Sequence, residues 1–292
     1  MVARCRRRGG LRQDPQSSLV TGDRSGEGGI AAGRDDGDVP VGGWAADTAD
    51  WWQREFTDGV DPEYTEQIIP IIVDQLRGSG RMLDIGTGEG QVARALRADG
   101  AEVFAIDPIA AMVAEAAQRD SEPPDDQPMR IAQAGAGAIP FADESFDAAL
   151  ACLVFEHIDA VDEAIADVAR VLRPGGTFLF LLNHPLLQTP DSGWIDDQIL
   201  DPPEQYWRIG PYLIEQATVE EVQKDVFIRF IHRPLSRYLN ALASNGLLLA
   251  EMIEPAPPEG FLAQAPQFRD AATVPRLLVL RLVKVGAVDQ RL

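Results

Sequence analysis

Between residues 81 and 182, short apolar runs alternate with amphipathic stretches, and this alternation restricts the fold more than any other feature of the chain. Residues 82–85, 102–106, 129–134, 146–153 and 177–182 read as strands. Residues 91–98, 109–118 and 160–172 read as helices, the last with Asp159 as its cap and Val161, Ile165, Val168 and Leu172 on one stripe. The fourth strand is apolar along nearly its whole length, as expected of a parallel strand covered on both faces. Strands and helices alternating at this spacing predict an α/β fold, a parallel sheet with helices on both sides. Two further strands, 247–253 and 276–285, follow a helix that begins after Pro234 and ends at Asn245-Gly246.

At the end of the first strand stands Leu83-Asp84-Ile85-Gly86-Thr87-Gly88-Glu89-Gly90. Glycines at every second position let the backbone turn sharply and approach a ligand closely, and the helix that follows offers its free N–H groups to that ligand. A dinucleotide site uses the same device, but a G-x-G-x-x-G pattern requires glycine at position 91, which is Gln91. Asp84 precedes the glycines and can accept hydrogen bonds from an ammonium-bearing ligand, where a pyrophosphate would be repelled. Asp107 stands 21 residues past Gly86, at the end of the second strand, where a carboxylate can accept from both hydroxyls of a ribose.

Together with Ile139-Pro140-Phe141, Phe146-Asp147 and Leu172-Arg173-Pro174-Gly175-Gly176, these residues resemble the class I S-adenosylmethionine-dependent methyltransferases, in particular the methyltransferase type 11 group. The resemblance implies a Rossmann-like doubly wound, mostly parallel seven-stranded sheet with an insertion after the fifth strand, and S-adenosylmethionine as cofactor. It further implies that Gly86, Thr87, Gly88 and Gly90 pass under the methionine part of the cofactor while Asp84 faces its amino end. Asp107 would hold the ribose, Pro108 and Ile109 would lie against the adenine, and Leu153 would close the methionine end. Family members often carry an acid followed by alanine before the Ile139-Pro140-Phe141 segment. This chain has Gly135-Ala136 there, so a side-chain contact to the adenine amino group is lost and a backbone contact from Ala136 is expected. A nicotinamide-dependent oxidoreductase and a non-catalytic binding module are the competing readings.

His157 and His184, following the fourth and fifth strands at the carboxyl edge of the sheet, are the candidates for a catalytic base. His232, before Arg233-Pro234, reads as structural, and Cys152 as core. All five tryptophans and all four tyrosines lie outside 80–182. Trp51, Trp52, Trp194, Tyr206 and Trp207 are therefore expected to line an acceptor pocket, with 183–232 as its lid. The methyltransferase domain is expected to span 44–286.

Residues 1–43 carry few large apolar side chains and read as a disordered tail, with 287–292 as a second short tail. The formal charge of −20 argues against a nucleic-acid substrate, so the expected partner is a small-molecule acceptor. No metal-ligand pattern and no membrane-spanning run is evident. Two cysteines far apart suit a reducing cytoplasm.

Overall fold

The computed structural model describes residues 46–57, 60–121, 128–197, 199–202, 204–264 and 272–286. Both expected tails lie outside them. The chain begins with α1 (Ala46–Phe56), followed by a segment whose start is fixed by Asp61. Its carboxylate accepts the Glu63 N–H at 2.8 Å, the expected capping geometry. A single π-helical turn over Tyr64–Ile68 then leads into α2 (Ile69–Leu76). The wider turn falls just before Pro70, whose ring and missing N–H would clash with a regular helical ladder.

The sheet is built from β1 (Arg81–Ile85), β2 (Glu102–Asp107), β3 (Arg130–Gln133), β4 (Phe146–Cys152) and β5 (Leu172–Asn183), joined by α3 (Gln91–Ala98), α4 (Ala110–Asp120) and α5 (Val161–Val171). A 3₁₀ turn, Phe155–His157, separates β4 from α5. After β5 come α6 (Pro185–Gln188), the antiparallel pair β6 (Gly193–Asp197) and β7 (Glu204–Arg208), and a second antiparallel pair, β8 (Gln216–Gln223) and β9 (Val226–His232). The chain returns through α7 (Leu235–Ser244), β10 (Leu247–Ile253), α8 (Glu259–Gln264) and β11 (Leu277–Lys284).

The main sheet has seven strands in the order β10-β11-β5-β4-β1-β2-β3. Pairing is parallel from β3 through β5, and β11 runs antiparallel to both β5 and β10. An all-parallel dinucleotide-binding sheet has no such inserted strand. Alternate residues of each strand supply the two faces. Leu83, Ile85, Phe178, Phe180 and Leu182 pack with α5 and α7, while Met82, Leu179 and Leu181 pack with α1, α2 and α3. Asp84 shares the Met82 side. The strand order reverses between β1 and β4, which opens a crevice at their carboxyl ends.

Two expectations are corrected. Asp159 does not cap α5; Ala160 is the capping residue and makes no side-chain bond, while the Asp159 carboxylate pairs with Arg229 at 2.6 Å. Residues 183–232, read as an irregular insertion, form two β-hairpins and a short helix. The regularity was hidden because β7 and β8 are exposed along nearly their whole length and carry no apolar alternation.

Candidate functional site

The crevice at the β1–β4 reversal is a cleft of about 160 Å3, partly open to solvent, of the concave kind that small molecules occupy. One end is built from the loop between β1 and α3. Gly86 donates its N–H to Ile106 O at 2.8 Å, which locks the loop to β2. Its φ of +70° belongs to glycine, and a Cβ there would fall 2.5 Å from Val154. Gly88, at φ +59°, has open space where a Cβ would be, so the loop's bare backbone faces the cleft.

Two buried carboxylates flank this loop. Asp84 is 2% exposed and accepts the Thr87 hydroxyl at 2.7 Å. Burial pushes its carboxyl up to about 7, opposed by the Thr87 bond and reinforced by the charge of Asp107. Asp107 accepts Gly88 N–H on one oxygen and Ile109 N–H on the other, each at 2.9 Å. Burial raises its carboxyl as well, and the two backbone bonds hold it down. Each Asp107 oxygen keeps a further lone pair, enough for two ligand hydroxyls. Pro108, Ile109 and Met112 continue the wall beside Asp107 as an apolar shelf, and Leu153 lines the cleft beyond β4.

The lining also includes Trp52, Tyr64, Cys152, His157 and Ile158, with the Asp84 charge acting on the Cys152 thiol. The His157 ring rests on Phe230, centroid to centroid 4.8 Å, and its Nδ1 lies 2.9 Å from Arg229 O. A carbonyl only accepts, so Nδ1 carries the proton and Nε2 is the basic nitrogen. Burial lowers the imidazole's affinity for a second proton, while Glu156 and the Arg229 bond raise it. Burial raises the Tyr64 hydroxyl and the Cys152 thiol, so both remain protonated at neutral pH.

Residues 83–180 match the family model of the methyltransferase domain. Over these residues the chain is similar to the S-adenosylmethionine-dependent methyltransferases. It is 36% identical over 104 residues to malonyl-[acyl-carrier protein] O-methyltransferase of Enterobacter lignolyticus, a match covering 36% of this chain and 39% of that protein. It is 32% identical over 124 residues to the ubiquinone/menaquinone biosynthesis C-methyltransferase of Paracoccus denitrificans, covering 42% and 49%. The chain thus spans less than half the length of these two relatives. The fold extends further than the sequence match. An S-adenosylmethionine-dependent methyltransferase structure from Mesorhizobium loti superposes with a TM-score of 0.64 at 24% identity, covering 76% of this chain and 98% of that one.

Of the residues expected to hold cofactor, Asp84, Gly86, Thr87, Gly88, Asp107, Pro108, Ile109 and Leu153 all line the cleft. Gly90 ends the loop as the first residue before α3. Gly135 and Ala136 are not among the lining residues. Ala136 turns inward and packs in the core beneath α5.

His184 is not brought to the cleft. Its Nδ1 accepts the Leu186 N–H at 3.2 Å at the start of α6, and its Nε2 donates to Glu254 at 2.8 Å. Both nitrogens serve the fold. Among the aromatic candidates only Trp52 faces the cleft. Trp51 is buried against Phe56. Trp194 and Trp207 face each other across the β6–β7 ladder, 5.5 Å apart, Trp194 packs by Phe261, and Tyr206 is 45% exposed. Cross-strand packing holds the two tryptophans against each other and away from the cleft, with their buried indole N–H groups left without a hydrogen-bond partner.

Tyr64 and Cys152 were read respectively as one aromatic among many and as core, and both line the site. Cys152 stands at the carboxyl end of the fourth strand, which was its sequence signal. Met112 gave none beyond its place on an amphipathic helix.

Proposed function

We propose that this chain transfers a methyl group from S-adenosylmethionine to an O, N or C atom of a small-molecule acceptor. One observation carries the reading: two buried carboxylates, Asp84 and Asp107, flank the glycine loop in a cleft that a neutral imidazole, His157, also lines. The residues fit the cofactor's chemistry. Asp107 would accept from the ribose hydroxyls, Asp84 would face the ammonium of the methionine part, and Pro108, Ile109 and Met112 would cover the adenine.

When bound, the cofactor supplies an electrophilic methyl group on a sulfonium sulfur. Trp52 and Ile158 exclude water from the acceptor end and orient an apolar acceptor, and such positioning supplies much of the rate in a direct displacement. His157 accepts at Nε2 the proton that an acceptor hydroxyl gives up. The β8–β9 hairpin is the acceptor-side wall, since Phe230 and Arg229 support His157; the β6–β7 hairpin lies farther out as the mobile part of a lid.

Calorimetry with S-adenosylhomocysteine and with NADH separates a methyltransferase from an oxidoreductase: micromolar binding of the first and none of the second is expected. Formation of S-adenosylhomocysteine from S-adenosylmethionine with fractionated metabolite extracts then identifies the acceptor. Binding without turnover on any fraction would leave a binding module in place of an enzyme.

A further inference from the structure

Arg233 sits between β9 and α7 with its side chain 1% exposed, and its guanidinium reaches across to the 3₁₀ turn after β4. Nη1 donates to Phe155 O at 3.2 Å, and Nη2 donates to Ile158 O at 2.9 Å and Asp159 O at 3.1 Å. Nε donates to Glu215 at 2.7 Å. Three carbonyls on both sides of His157 are thus gathered by one planar fork, a geometry that an ammonium cannot reproduce. Four residues earlier on the same segment, Arg229 accepts the His157 Nδ1 proton on its carbonyl and pairs its own guanidinium with Asp159 at 2.6 Å.

We infer that Arg233 is the positioning residue for His157, holding the turn and the β8–β9 hairpin in the register that keeps the imidazole proton on Nδ1 and Nε2 basic. The inference rests on the reading of His157 as proton acceptor. The bonds span 74 to 78 residues of sequence, and none of them touches the glycine loop or Asp107. Arg233 therefore acts on the acceptor end of the cleft and leaves the cofactor end alone. The charged groups around His157 are Glu156 in its own turn, the Arg229–Asp159 pair at the hairpin, and Arg233 with Glu215 behind the turn.

The chain has three histidines, which makes nitrogen NMR of the imidazoles a direct test. His184 and His232 each donate from Nε2, to Glu254 and to Tyr212 O at 2.7 Å, so His157 alone is expected as the Nδ1–H tautomer. In Arg233→Lys the His157 signal should become a mixture of tautomers and its titration midpoint should move toward about 6.5, the ordinary value. The His184 signal should stay put and S-adenosylhomocysteine affinity should stay within about threefold. Asp159→Ala, which loosens the hairpin from an exposed position, should produce a smaller change in the same direction if the lysine variant does not fold. An unchanged His157 tautomer in the folded lysine variant, or in Asp159→Ala where only that variant folds, would overturn the assignment, and so would a parallel loss of S-adenosylhomocysteine binding. Failure of the wild-type protein to bind S-adenosylhomocysteine would instead overturn the proposed function.

Discussion

Asp107, the last residue of β2, accepts the backbone N–H of Gly88 at 2.9 Å, so the acid that ends one strand holds the loop that leaves its neighbour. The ligand-facing carboxylate and the ligand-facing backbone are thereby a single unit. Asp107→Ala should weaken S-adenosylhomocysteine binding by about 2–3 kcal/mol, roughly 30–150-fold, because it removes charge-assisted bonds to the ligand and frees the loop. Unchanged affinity by calorimetry would mean that the ribose lies elsewhere.

The two central glycines should fail in different ways. At Gly88 an added Cβ meets open space, so Gly88→Ala costs only the left-handed conformation, about 1–2 kcal/mol, while the methyl enters the cleft. The variant should fold and lose cofactor binding. At Gly86 the same change also drives a methyl into Val154, adding about 1–3 kcal/mol of overpacking. Thermal melts should therefore rank Gly86→Ala below Gly88→Ala, and equal melting temperatures would contradict the loop geometry.

Asp84 makes binding and stability depend on pH in opposite senses. The folded carboxyl is raised from 3.8 to about 7, so between those values the folded chain holds a proton that the unfolded chain has released. Ligand-free stability should fall as pH rises through that window and level off above it. The cofactor's ammonium is held by the ionised form, so S-adenosylhomocysteine affinity should rise up to tenfold per pH unit toward 7 and then flatten. Asp84→Asn should flatten both profiles in calorimetry and melting between pH 5.5 and 8.5. A wild-type affinity independent of pH would refute the ammonium assignment.

Trp52 and Trp207 separate the cleft from the outer hairpin. Trp52→Ala should weaken binding of an apolar acceptor or of the product complex several-fold, since its ring lines the cleft. Trp207→Ala removes the partner of Trp194, a pair worth about 0.5–1.5 kcal/mol beyond its area, and should lower the melting temperature by on the order of 2–6 °C. Its S-adenosylhomocysteine affinity should not change. A large affinity loss in Trp207→Ala would move the outer hairpin to the cofactor.

The order of strands and helices from 81 to 182, the glycine loop and Asp107 were all legible in the sequence, because each is written in a local signal. Apolar periodicity fixes which face of an element is buried, and a turn after a strand needs its glycines next to each other in the chain. α3 and β10 have the ends that the sequence predicts. What the sequence left open depended on partners far away along the chain. Two histidines in equivalent places after β4 and β5 looked alike, yet the 72-residue reach from His157 to Arg229 O made one of them a cleft residue with a defined tautomer, and Glu254 made the other a strut. The tryptophans divided in the same way: cross-strand pairing took Trp194 and Trp207 out of the cleft, and among the described residues Trp52 is the tryptophan that lines it. The antiparallel insertion of β11 between β5 and β10, and the grip of Arg233 on three carbonyls, likewise exist only once the strands are paired, because a hydrogen bond's partner is chosen by proximity in space and leaves no periodic trace in the sequence.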